Sequence, residues 1–185
     1  MINKKPLKPM KKVYILVHEG DADGNLFSYL KVTLKCNKKF TPENLNGCSD
    51  LTSFKDKYNK IKTRYGLRSN SKLYELIFLF DNDLDENKSF EIRKYIQAKG
   101  HAIIQTHPNI EGFLLELIGK KISFKVKTEL DRKNCKKLFF KEFSLEAHQL
   151  KTKDWEKIFG QSGFKIEDLA ANNPILKSLT DLIVL

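Results

Sequence analysis

Tyr74-Glu75-Leu76-Ile77-Phe78-Leu79-Phe80-Asp81-Asn82-Asp83 is the stretch on which the fold turns. Its apolar core is short, aromatic and branched, with no polar break. That is the pattern of a strand covered on both faces in a parallel sheet. The strand ends abruptly in acid. Upstream, Val13-Tyr14-Ile15-Leu16-Val17-His18 has the same character and ends at Glu19-Gly20. Downstream, His101 to Thr106 carries Ala102, Ile103 and Ile104 in a row, and Pro108 closes it. Helical spacing fills the gaps. Leu26, Phe27, Leu30 and Leu34 follow the first strand, with Asp21 and Asp23 offering N-cap oxygens. A very basic helix is predicted over 51–65, another over 87–98 closed by Gly100, and a third over 110–119 with Phe113, Leu114, Leu117 and Ile118 facing a core. Residues 37–50 hold Pro42, Gly47 and scattered Asn and Asp; they read as loop, with room for a short strand near Phe40. Strands alternating with helices predict βαβ units: an α/β, Rossmann-like fold with a mainly parallel sheet flanked by helices. Residues 131–185 read as further helices covering the sheet, with a turn near Gly160 and a last helix after Pro174.

The chain has 185 residues, a length that suits one domain. Residues 1–12 read as a flexible basic tail and 13–185 as a single domain. Lys and Arg number 34 against 23 acids, a net charge of +11 that favours a polyanionic partner. Apolar runs fall far short of the ~20 residues of a membrane span, and the run after the N-terminal lysines is short for a signal-peptide core. Three cysteines, Cys36, Cys48 and Cys135, are odd in number and not closely spaced. That suits a reducing cytoplasm and excludes a disulfide framework.

In open parallel sheets, sites form beyond the carboxyl ends of the strands. Three predicted strands finish near acid: the first at Glu19, the second at Asp81 and Asp83, and the third in a loop that delivers Glu111. Asp81 and Asp83 are two apart, so they leave an extended segment on the same side. Oxygen-only ligands suit Mg²⁺ or Mn²⁺. Grouped carboxylates repel unless a cation neutralises them. Taken singly, each of these acids is also what a solvated turn or a helix cap supplies. Asp85 could join the site or cap the following helix, and the cap suits it better; Asp23 suits an N-cap better than a ligand, and His18 suits packing better than ligation. His107 stands beside Glu111 and suits a loop hydrogen bond better than proton transfer. No Gly-rich phosphate loop and no Cys/His zinc spacing is present.

Val13 to Gly20 followed by Phe80-Asp81-Asn82-Asp83 resembles the Toprim domain of topoisomerases, primases and several nuclease families. His107-Pro108-Asn109-Ile110-Glu111-Gly112-Phe113-Leu114-Leu115 resembles the Asn-Pro-x-Phe-Glu-x-Trp-Leu segment of the RloB-like family, small Toprim proteins associated with restriction and phage-defence systems. Asn173-Pro174 with Leu179 and Leu182 resembles that family's C-terminal helix, so the likeness spans 13–185. The resemblance implies a Toprim-like fold. It matches Glu19 to the Toprim glutamate, Asp81 and Asp83 to the Asp-x-Asp pair, and Glu111 to the third motif. Metal binding would fall to Glu19, Asp81 and Asp83. His107 stands where the family has Asn, Ile110 where it has Phe, and Phe113 where it has Trp. No glycine follows Asp-x-Asp as it does in many topoisomerases and primases, which favours the nuclease branches, and the chain is short for a topoisomerase.

Residues 120–141 hold nine basic side chains against Glu129 and Asp131. Lys120, Lys121, Arg132, Lys133, Lys136 and Lys137 are the candidate nucleic-acid contacts, giving salt-dependent affinity that ignores sequence. A solvated helix face is the competing reading. Phe139 and Phe140 could stack on bases, although a core role suits them better. The expectation is a Mg²⁺- or Mn²⁺-dependent nuclease of phage defence, acting on DNA rather than RNA, with a defence-system protein as a possible partner. Its competitors are a non-catalytic nucleic-acid-binding subunit and a Toprim ribonuclease acting on structured RNA.

Overall fold

A computed structural model describes residues 12–48, 50–67, 73–81, 86–107, 109–120, 122, 128–161 and 165–184. Four strands, β1 (Val13–His18), β2 (Lys39–Asn44), β3 (Tyr74–Asp81) and β4 (Ala102–Thr106), form one sheet in the order β2-β1-β3-β4. Every pairing is parallel. The helices are α1 (Asp21–Thr33), α2 (Leu51–Arg64), α3 (Glu86–Ala98), α4 (Ile110–Leu117), α5 (Glu129–Phe143), α6 (Thr152–Gln161), α7 (Ile166–Asn172) and α8 (Pro174–Val184), with a 3₁₀ turn at Ala147–Gln149. The architecture is mixed α/β and Rossmann-like, with helices flanking the sheet and a helical C-terminal part. Among the described residues no helix is long and apolar enough to cross a membrane.

The two-residue period of the central strands sorts the core into two layers. Ile15, Val17, Leu76, Phe78 and Phe80 pack with Phe54, Tyr58 and Ile61 of α2 and Ile92 and Ile96 of α3. Leu16, Ile77 and Leu79 point the other way. They join Leu26, Phe27 and Leu30 of α1, Phe113 and Leu114 of α4, Phe139 of α5, Trp155 of α6 and Leu176 and Leu179 of α8. Both faces of β1 and β3 are thus covered, which is why these strands read as unbroken apolar runs.

The short strand near Phe40 proves to be the six-residue β2, inside the segment 37–50 expected to be mostly loop. It is an edge strand paired only with β1, so Pro42, which has no N–H to give, fits there. The strand at 102–106 is therefore the fourth. The N-cap of α1 is Gly20, not Asp21 or Asp23. Asp21 is the first helical residue, and Asp23 reaches back as a capping-box acid, its Oδ2 accepting from Gly20 N–H at 3.3 Å. Gly100 ends α3 in the left-handed region, φ +73°, as the sequence predicts. Of the tail expected over 1–12 only Lys12 is described, and it pairs with Glu75. Asp83, Asp85, Lys121, Lys125 and Lys127 lie outside the described residues.

Candidate active site

The strand register sets the site. His18 stands opposite Leu79, so the next residue, Glu19, leaves β1 at the edge where β3 delivers Asp81. Glu19 N–H still donates to Leu79 O at 3.2 Å. Asp81 is in register with Thr106, the last residue of β4. Thr106 is fully buried, and its hydroxyl donates to Asp81 Oδ1, orienting that carboxylate. Beyond Thr106 the chain turns into α4. Asn109 caps this helix, its side-chain oxygen accepting from Gly112 N–H at 2.9 Å, and Glu111 sits in the first turn.

The turn after Glu19 is held tightly. His18 is buried, and its ring Nδ1 lies 2.8 Å from Gly20 O. Gly24 lets α1 run against that ring. A Cβ at residue 24 would stand 2.7 Å from His18 Cε1, closer than atoms approach without displacement. On the β2 side, the Lys57 ammonium donates to Leu45 O and Gly47 O, and Gly47 N–H donates to Glu19 O at 3.0 Å. His18 therefore packs, as the sequence predicts. His107 is exposed.

Asp23 is the residue whose weight the sequence understated. It caps α1 and is also 97% buried (3% exposed), held beside the end of β1 by its bond to Gly20. Burial pushes its carboxyl well above the usual range, and the charges of Asp81, Glu19 and Glu111 push it the same way. Only the Gly20 N–H opposes them. Its Oδ1 is buried with no hydrogen-bond partner among the described residues. Glu111 Oε2 is in the same condition. Burial raises the Glu111 carboxyl, while the Lys136 ammonium pulls it down. Glu19, Asp81 and Glu111, drawn from three distant segments, thus all act on Asp23. A signal for Asp23 exists in the sequence: it stands four residues after Glu19, one turn into the helix that leaves the same edge.

The donor set is entirely carboxylate oxygen, which hard divalent cations take. The buried Asp23 Oδ1, with no partner among the described residues, fits a cation's need for ligands. Yet among the described residues no three of Asp, Glu, His and Cys are drawn closely enough to hold an ion. Asp83, the remaining expected ligand, is outside that set.

The basic segment divides. Thr128 caps α5 in a reciprocal box with Asp131: Thr128 Oγ1 accepts from Asp131 N–H at 3.2 Å, and Asp131 Oδ2 accepts from Thr128 N–H at 2.9 Å. Lys120 is committed to an ion pair with Glu142 at 3.0 Å. Arg132 is half-buried, whereas Lys133, Lys136 and Lys137 are exposed on α5. Phe139 is in the core, as expected, but Phe140 is 54% exposed. The surface of α5 next to Glu111 borders a cavity of about 580 Å³. No protein-family model, curated protein or solved structure matches this chain.

Proposed function

We propose that this protein is a Mg²⁺- or Mn²⁺-dependent nuclease that hydrolyses phosphodiester bonds, in DNA rather than RNA. The observation that carries this reading is the buried, half-orphaned carboxylate of Asp23 at the carboxyl edge of a parallel sheet, under the charges of Glu19, Asp81 and Glu111. The Toprim-like order of Glu19-Gly20 and Asp81-Asn82-Asp83, and the RloB-like segment around Glu111, support the same reading and the assignment to phage defence.

Glu19, Asp81 and Asp83 would hold the ion, as the Toprim-like match implies, and Asp23, whose Oδ1 is buried without a partner among the described residues, stands under the charges of Glu19 and Asp81. When bound, such an ion lowers the pKa of water and neutralises phosphate charge. The remaining work falls to the chain itself. Thr106 fixes the carboxylate of Asp81. The turn of His18, Gly20 and Gly24 fixes the spacing of Glu19 and Asp23. Glu111, raised by burial, suits the role of a proton carrier at Oε2 for an oxygen leaving the phosphate. Lys136 and Lys137 sit beside it and would receive the phosphates.

One observation favours a second reading, a non-catalytic nucleic-acid-binding subunit: no three described acids close on a single point. Thermal melting separates the two. A bound ion stabilises the folded state by mass action, ~2.7 kcal/mol at a hundredfold excess over Kd. Under the nuclease reading, millimolar Mn²⁺ raises Tm and Asp81→Ala abolishes the rise. An unchanged wild-type Tm with both Mg²⁺ and Mn²⁺ selects the binding subunit.

A further inference from the structure

The face of α5 nearest the acids has a composition that the nuclease reading alone does not require. Lys133, Lys136, Lys137 and Phe140 are spaced i, i+3, i+4 and i+7, which puts them on one stripe of the helix. Phe139, the neighbour of Phe140, is fully buried and anchors the helix to the core. Phe140 instead holds a large apolar ring in solvent among ammonium groups. Its ring borders the cavity of about 580 Å³, whose other walls include Lys136, Lys137, Glu111, Glu146 and His148. That volume falls within the range of sites that enclose a small organic group, roughly 300–1,000 Å³. Part of the lining is polar, with His148 Nδ1 3.3 Å from a Glu146 carboxylate oxygen. The same lining residue is tied to α1, because Asn25 Nδ2 donates to His148 O at 3.2 Å.

Resting on the nuclease reading, we propose that this cavity seats an unpaired nucleobase of a single-stranded substrate. Phe140 stacks on the base, and Lys136 and Lys137 take the adjoining phosphates. An aromatic ring flanked by lysines is the pairing used by single-strand platforms, because every base offers a π face and every linkage a charge. A base inside a duplex is already stacked and paired, so it cannot offer its face to Phe140. The net charge of +11 selects a polyanion over a neutral or basic partner. Lys136 also acts directly on Glu111, so a base in the cavity would put its phosphate beside the acidic edge.

The test measures affinity in chelator, where cleavage plays no part. The probes are labelled oligothymidylate, its RNA counterpart oligouridylate, and a blunt duplex. Loss of one stacked base predicts that Phe140→Ala weakens both single strands by about 10-fold or more, leaves duplex affinity unchanged, and leaves the salt slope unchanged since no charge is removed. Phe140→Trp restores the affinity. Lys136→Gln lowers the single-strand salt slope by about 0.7. Phe140 is exposed, so Tm should not move in the variants. Wild-type affinity in Phe140→Ala, an equal loss on duplex and single strand, or a wild type that does not bind single strands overturns the proposal. Phe140-dependent single-strand binding by a wild type that cuts nothing with Mn²⁺ upholds the base seat and overturns the nuclease.

Discussion

Replacing Asp23 by Asn should make the metal-free protein more stable while removing its response to metal. In wild type, Asp23 Oδ2 accepts from Gly20 N–H, and Oδ1 is buried without a partner, under the charges of Asp81, Glu19 and Glu111. An Asn keeps an oxygen for Gly20 and puts an N–H₂ where Oδ1 lies, under the charges of the neighbouring carboxylates. Relieving one buried unsatisfied group is worth ~1–3 kcal/mol. For a chain of this size each kcal/mol moves Tm by ~2–4 °C, so the gain is roughly 2–12 °C at pH 8 in chelator. The sign of the pH dependence follows from the raised carboxyl. The folded state holds a proton that the unfolded chain has released, so stability is full below the ordinary carboxylate range. It is lost as pH rises through the folded value. Glu111 contributes with the same sign. Wild-type Tm in chelator should therefore fall as pH rises above ~4, and the Asn variant should lose much of that fall. The assay is differential scanning fluorimetry over pH, with and without Mn²⁺. A variant less stable than wild type at pH 8 in chelator refutes the reasoning, because it would mean that Asp23 is stabilising as a free anion.

Three further outcomes follow from the geometry. Gly24→Ala drives a Cβ into the His18 ring and should cost ~1–3 kcal/mol; adding His18→Ala should recover part of the loss, as read by chemical denaturation. Replacing Lys133, Lys136 and Lys137 together with Glu should weaken binding to every sequence tested and reduce the magnitude of its log–log salt slope by roughly 2–3; an unaltered slope assigns that face of α5 to solvent. Thr106→Val removes the hydroxyl that orients Asp81, so it should weaken Mn²⁺-induced stabilisation more than it lowers the Tm in chelator, with both read from paired melts.

The parts of the fold legible in the sequence are those where burial on both faces leaves an unbroken apolar run. Ile15 to Val17 and Leu76 to Phe80 announce central strands because every residue in them is buried. β2 leaves only a faint pattern in the sequence, because an edge strand needs only one paired side, which lets Pro42, Glu43 and Asn44 stand in it. Glu19, Asp81 and Glu111 could be placed at one edge because parallel register leaves little choice of where strands end. Asp23 could not be weighed the same way: its capping bond is local and visible in the sequence pattern, whereas its burial depends on α1 lying against β1 through Gly24 and His18. Phe139 and Phe140 are adjacent and chemically identical, yet one is core and the other surface. A helix turns by about 100° per residue, and only the docking of α5 decides which ring faces in.

The central claim is that the acids at the sheet edge act on a phosphodiester, and a paired measurement on one labelled oligonucleotide tests it most directly. Cleavage is followed with Mn²⁺, and affinity with chelator, for wild type, Glu19→Ala and Asp81→Ala. The account predicts that both variants lose cleavage while affinity in chelator is kept or improved, since a negative charge within a Debye length of ~8 Å of the phosphates has gone. Variants that cut at the wild-type rate would contradict it.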